Sequence, residues 1–234
     1  IGLGIPAEPL FRSASYRTNS ENPNPLFNVN TSDAIFQLKD ITLDGRRNDK
    51  TATEGVYKLI TSTAGEIIVN SGTTLQYAKA ENGAAITGVK VTINGRYDTE
   101  KKEPTVKITN CTATGSGGAI STQNLTITNT SSKAGEYGTV FTNCTSGTET
   151  EPGSGGVIYA TGTAVSMAGA SFTGCSSTGE GGVLFHNYTG TESAATAITN
   201  CAFNDSEATG GAGGAVSSKA GTLPVEGSSF DTVK

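Results

Sequence analysis

The sequence predicts an all-β chain wound as a right-handed parallel β-helix of about seven to eight coils. Three observations carry this: a two-part phrase recurs at a period of about thirty residues, the apolar residues come in short alternating runs, and the residues available for the core are narrow. The first half of the phrase reads Gly83-Ala84-Ala85-Ile86, Gly117-Gly118-Ala119-Ile120, Gly155-Gly156-Val157-Ile158, Gly181-Gly182-Val183-Leu184 and Gly213-Gly214-Ala215-Val216. The second half places an aliphatic or aromatic residue three positions before a small one. It runs through Leu75/Ala78, Ile108/Cys111, Phe141/Cys144, Phe172/Cys175 and Phe203/Ser206, and ends at Phe230. Its leading residues, from position 75 to 108, 141, 172, 203 and 230, are spaced 33, 33, 31, 31 and 27 apart, and Leu43 extends the series backwards by 32.

Alternation then assigns the elements. Runs such as Val89-Lys-Val-Thr-Ile93, Thr105-Val-Lys-Ile-Thr109 and Leu125-Thr-Ile-Thr128 put one set of side chains inward and the other toward solvent. Such strands are too short to stand alone and must stack on their equivalents in the next repeat. Stacking at about 4.8 Å per coil makes a rod roughly 35 Å long, with Phe141, Phe172, Phe203 and Phe230 in one internal column. The Gly pairs mark corners that need positive φ or a close backbone approach. Toward the N-terminus, Leu26–Val29, Ala34–Leu38 and Ile41–Leu43 read as three faces of one coil, and Gly55–Tyr57, Glu66–Val69 and Thr73–Leu75 as those of the next. Leu10-Phe11 reads as a truncated coil, and Phe230–Lys234 as a repeat cut short. The whole of 1–234 is thus expected to be a single β-helix domain, a piece of a longer protein, with strand edges at both ends that favour self-association.

Composition narrows the partners. Hydrophobic residues make up 35% of the 234 and aromatics 6%, with no Trp and 31 Gly, which suits a narrow core of small side chains. The net charge of −5 and the lack of a dense Lys/Arg stripe argue against nucleic acid. No run approaches the roughly 20 apolar residues that span a bilayer, so no membrane insertion is expected.

Alternating Gly-Gly-Ala-(Ile/Leu/Val) and Phe-x-x-Asn tetrapeptides resemble those of chlamydial polymorphic membrane proteins and related bacterial surface β-helix proteins, from about Leu75 to the C-terminus. The phrases Pro25-Leu26-Phe27-Asn28-Val29 and Ile41-Thr42-Leu43-Asp44-Gly45 look like those of Gram-positive cell-surface adhesins. The chain departs from the pattern where the Asn of the second tetrapeptide is Cys111, Cys144, Cys175 or Ser206, and where one Gly pair is Gly83-Ala84. The resemblance implies an extracellular module on the bacterial cell surface, outer membrane or cell wall. Such a module is an autotransporter-like passenger that serves in adhesion and virulence by binding a host cell-surface protein or glycan.

The motifs are read against that background. Cys111, Cys144 and Cys175 share one place in successive repeats and read as a ladder of buried thiols, with a cross-coil disulfide as the alternative; Cys201 falls on another column. No metal site is expected, since no Cys-x-x-Cys pair exists and His186 is alone, a residue read as opening a loop after a strand. No cofactor is implied. The candidate binding residues are Arg46, Arg47, Tyr97 and Tyr188, which lie in charged or Gly-flanked turns where a guanidinium fork or an exposed ring can engage a ligand. Asn-x-Ser/Thr triplets at Asn30, Asn110, Asn124, Asn143 and Asn187 are expected by chance in so Thr-rich a chain. Two other functions are weighed: a structural stalk, and a polysaccharide lyase or glycoside hydrolase. The acidic pairs Asp44/Asp49, Asp98/Glu100 and Asp205/Glu207 do not fall on one column of consecutive coils, so the chain is read as non-catalytic.

Overall fold

A computed structural model describes residues 24–46, 55–131 and 133–234, and every regular element in them is a β-strand. Leu10, Phe11 and Arg47 lie outside the described residues. The strands stack in parallel into a β-solenoid of about six turns, where the repeat count had suggested seven to eight coils. Three sheets run along it. The register of the sheet here termed II contains the whole predicted column. Its strands are Thr42–Asp44, Thr73–Gln76, Val106–Thr109, Thr139–Thr142, Ala170–Thr173, Ala202–Asn204 and Ser229–Asp231, paired in chain order. Their register sets Leu43 on Leu75, Leu75 on Ile108, Ile108 on Phe141, and then Phe141, Phe172, Phe203 and Phe230 one on the next. Seven strands enclose six steps, which is where the lower turn count comes from.

Sheet III holds two-residue strands that follow each corner, from Lys79–Ala80 to Glu207–Ala208. Sheet I is the broadest. In two successive coils it is crossed by ten-residue strands, Ile86–Gly95 and Ile120–Asn129. In later coils the same path is split, as in Ile158–Ala160 and Ala164–Ala168. The first coil is as expected, with Phe27–Val29, Ile35–Leu38 and Thr42–Asp44. In the second, the strand stacked on Phe27–Val29 is Ile60–Ser62, while Gly55–Tyr57 gives only a bridge from Tyr57 to Ala78. Ile60 pairs with Ile86, the last residue of the first Gly phrase, and that match outweighs the local β-propensity of Val56-Tyr57.

The corners explain the phrase. The first Gly of each pair has φ between 54° and 76°, at Gly83, Gly117, Gly155, Gly181 and Gly213, the left-handed region that only Gly enters freely. The second Gly answers a different need: a Cβ on Gly118, Gly156 or Gly182 would sit within the backbone of the following coil. A second corner closes sheet II with one positive-φ residue per coil, at Tyr77, Asn110, Asn143, Gly174, Asp205 and Thr232. Asn and Asp tolerate this conformation best after Gly. The triplets at Asn110 and Asn143 follow from it, because a corner Asn, a buried Cys and a strand Thr are consecutive in the coil.

Three rings of the Phe column, Phe141, Phe172 and Phe203, are fully buried, whereas Phe230 in the last rung is 49% exposed. Beside them runs an inward column of Thr73, Val106, Thr139 and Ala170. The buried Thr139 hydroxyl has no hydrogen-bond partner, and its register neighbour Val106 already carries the matching apolar shape. Thr139→Val should therefore stabilise the fold by about 1 kcal/mol, since an unpaired buried hydroxyl is removed without changing the outline. Urea denaturation of the two proteins checks this, and a loss of stability would mean that the hydroxyl is satisfied in solution.

Candidate functional site

A polar concavity follows the edge of sheet I where the chain turns toward sheet II. It is a groove of about 590 Å³ lined by Gln37, Lys39, Asn70, Ser71, Asn94, Gly95, Arg96, Thr128 and Thr130. Its floor is an outward column of the solenoid. Asn70 pairs with Asn94 and Asn94 with Thr128, and Lys39 follows Leu38 in the register as Asn70 follows Val69. Asn94 Nδ2 donates to Asn70 Oδ1 at 3.1 Å, and the Thr128 hydroxyl donates to Asn94 Oδ1 at 3.1 Å. One rim is a small antiparallel hairpin, Tyr97–Asp98 with Glu103–Pro104. Its base is tied by the Thr105 hydroxyl, which accepts from Arg96 N and donates to Ser71 Oγ.

Two of the acidic groups nearby, Asp98 and Glu66, have partners of their own, while the Asp40 carboxylate beside Lys39 packs against Gly72. Asp98 Oδ1 accepts the backbone N–H groups of Glu100 and Lys101, and these, with the Lys101 bond largest, hold its carboxyl below the ordinary range. Glu66 is paired with Lys90 at 3.0 Å and accepts from the Thr92 hydroxyl at 2.8 Å. Burial acts to raise its pKa, but these bonds together outweigh burial and lower it. Lys39 and Arg96 form no ion pair with a described residue and are exposed.

The sequence-predicted binding residues are not brought together. Tyr97 adjoins this groove as the chain neighbour of Arg96. Arg46 lies at the end of sheet II, where its Nε and Nη2 clasp the Asp44 carboxylate and its guanidinium sits 4.0 Å over the Tyr77 ring. That packing makes Arg46 a brace for the first coil. Gln76 donates to the same carboxylate at 2.9 Å. Tyr188 sits in the insert after His186, with its hydroxyl accepting Glu192 N at 3.0 Å.

The Asp44 cluster has a pH signature. Burial raises the Asp44 pKa, but the bonds from Arg46 and Gln76 outweigh it, leaving the folded value below the unfolded one. Stability from this group is thus present above the ordinary carboxylate range and is lost as pH falls through the lowered folded value. Asp44→Asn should be less stable than the parent at pH 7, and the gap should begin to narrow in the ordinary carboxylate range, near about pH 4, and close only below the lowered folded value. Paired melts across pH test this; a gap that persists in acid would assign the loss to packing.

His186 is a correction to the sequence reading. It ends the strand Leu184–His186 and is fully buried, not a loop residue. Nε2 lies 2.7 Å from the Gly162 carbonyl, which can only accept, so Nε2 carries a proton. Nδ1 is 2.7 Å from the Thr196 hydroxyl, itself 2.9 Å from the Ser218 hydroxyl. This chain ties three coils together across the split in sheet I.

The thiols form the expected ladder. Cys111, Cys144, Cys175 and Cys201 are free and buried. Each of the first three points its sulfur at the carbonyl two residues back, at 3.4, 3.7 and 3.5 Å, so all three repeat one conformation. The neighbouring Cys111 thiol, followed by burial, pushes Cys144 well above the usual thiol range, and Cys144 does the same to Cys175. Such thiols stay protonated and inert at neutral pH. Among the described residues no three His, Cys, Asp or Glu side chains are grouped so as to hold a metal ion.

The chain matches no protein-family model, and comparison with curated proteins and with solved structures likewise gave no match. The likeness of its tetrapeptides to those of bacterial surface β-helix proteins therefore rests on the motifs quoted above. The groove residues Lys39, Asn70, Asn94 and Thr128 escaped the sequence reading, which followed the inward columns. Extending the strand register to the alternate, outward residues is the signal that finds them.

Proposed function

We propose that this chain is a non-catalytic adhesin module of a bacterial surface protein, which displays loops and a lateral polar groove on a rigid β-solenoid to bind a host glycan or protein. The single observation that supports this most is the groove, where a laddered floor and an anchored hairpin hold hydrogen-bonding groups in fixed positions. A rigid scaffold with function in its loops and edges is a common division of labour, and preorganised donors reduce the entropy lost on binding. The tetrapeptide resemblance points the same way and supplies the extracellular location. A stalk is the second reading, favoured by the continuous parallel pairing and the stacked Phe column, which suit a stiff spacer.

A glycan-array and host-cell binding screen of the folded chain, with a heat-unfolded control, separates the two. Saturable binding by the folded form alone supports the adhesin. Silence in both assays, together with high stability that tolerates replacement of the 97–104 hairpin, supports the stalk.

A further inference from the structure

We infer that the lateral groove is a binding site for an acidic oligosaccharide lying along the solenoid axis, with its carboxylate or sulfate groups held by Lys39 and Arg96. The inference rests on the adhesin reading and gives it a ligand class. The donor inventory comes first. In the ladder, Asn94 uses one of its two amide hydrogens on Asn70 Oδ1, and Asn70 Nδ2 makes no hydrogen bond with a described residue. The acceptor oxygens of both amides are engaged within the ladder, by Asn94 and by Thr128. Amide N–H groups of Asn70 and Asn94 thus remain available beside two cations, a set able to meet acceptor-rich, negatively charged groups.

Geometry then selects among anionic partners. Lys39 stands at the first rung, and Arg96 leaves the third rung just beyond Asn94. Two steps of the solenoid separate these rungs by about 10 Å, which matches two pyranose units of an extended chain. Between the cations lie neutral amide and hydroxyl rungs, suited to ring hydroxyls, with no large apolar side chain in the lining to anchor a peptide. Two cations on a chain of net charge −5 do not suit the dense charge of a nucleic acid. Of the neighbouring carboxylates, Glu66 is paired with Lys90, while Asp98 accepts two backbone N–H groups and forms no ion pair with Arg96, although it feels that charge. Asp40 adjoins Lys39, and a ligand anion would compete with Asp98 and Asp40 for the cations.

The test is calorimetric titration of the full chain with tetragalacturonate and with a heparin tetrasaccharide, set against the neutral galactotetraose made by reducing the uronate carboxyls. Either acidic probe should bind, the two arms telling carboxylate from sulfate, while the neutral probe should bind at least about 100-fold more weakly. Lys39→Gln and Arg96→Gln should each weaken binding about tenfold, as expected for loss of one charge-assisted hydrogen bond. Both are exposed, so the fold should survive, which circular dichroism verifies. Asn94→Leu should weaken binding while leaving both cations, and Lys219→Gln, on a distant part of the rod, should change nothing. Equal affinity for the neutral probe, or unchanged affinity in the Lys39/Arg96 double variant, overturns the assignment. If the double variant still binds cells or other glycans as the parent does, the groove proposal falls and the adhesin reading stands. If the parent binds no probe and no cell, both fall.

Discussion

Phe172→Ala is expected to destabilise the solenoid by about 3–5 kcal/mol, the range for truncating a fully buried Phe. The ring of Phe172 lies between two others, 4.9 Å from Phe141 at 10° and 5.0 Å from Phe203 at 13°. Removing it leaves a cavity and breaks two stacking contacts, each adding about 0.5–1.5 kcal/mol beyond the area buried. Parallel strands fixed on both sides cannot move in to fill the gap, so the cost should fall in the upper part of the range. Phe230→Ala makes the comparison. That ring stacks 4.7 Å from Phe203 on one side only and is 49% exposed, so its removal should cost about 1 kcal/mol. Denaturant titrations of both variants give the answer. Similar losses at the two positions would overturn the column as the main source of core stability.

Gly182→Val should also be severely damaging, by more than about 3 kcal/mol, the upper end of ordinary overpacking, and the variant is expected to accumulate poorly as folded protein. The sequence left two reasons for the Gly pair, positive φ or a close backbone approach. The positive φ belongs to Gly181, at 67°. At Gly182 the obstacle is space: a Cβ would collide with the Gly214 carbonyl and lie 2.6 Å from the Glu207 carbonyl oxygen, both backbone atoms of the next coil. Gly182 N also donates to the Gly213 carbonyl at 3.1 Å, so separating the coils would break that bond. Even Gly182→Ala should be poorly tolerated. Gly221→Ala is the control, because its added Cβ would meet only the Ala194 oxygen at 3.6 Å, and its effect should stay within about 0.5 kcal/mol. Thermal melts of the three variants discriminate; tolerance of Ala at 182 would mean that the coils can separate at this corner.

The two substitutions mark how far the sequence could be read. The Phe column was legible in full because each anchor residue sits in a strand, and strands keep register while turns absorb insertions. The pairing of Leu43 through Phe230 reproduces the sequence alignment residue by residue. The corners were legible in kind but not in cause, since one Gly is needed for its dihedral angle and the next for its missing side chain. Residues whose surroundings come from partners elsewhere in the chain were the least legible. Arg46, read from its charged turn as a ligand-binding residue, also holds Asp44 and packs over the Tyr77 ring. His186 has the context of a loop but is buried by Gly162, which stands 24 positions earlier, and by Thr196, 10 later.

By itself, then, the sequence determined the parallel all-β winding, the inward columns and the positions of the Gly corners. Each follows from a period of two within strands and a nearly constant period between them, and both are properties of the chain read in one dimension. Only the tertiary structure decided what the outer surface offers. Asn70 and Asn94 are 24 residues apart and Asn94 and Thr128 are 34, yet all three occupy successive rungs. No fixed period joins them, because the inserts between strands differ in length. Their alignment is set by the hydrogen-bonded register of neighbouring coils, and with it the groove between Lys39 and Arg96.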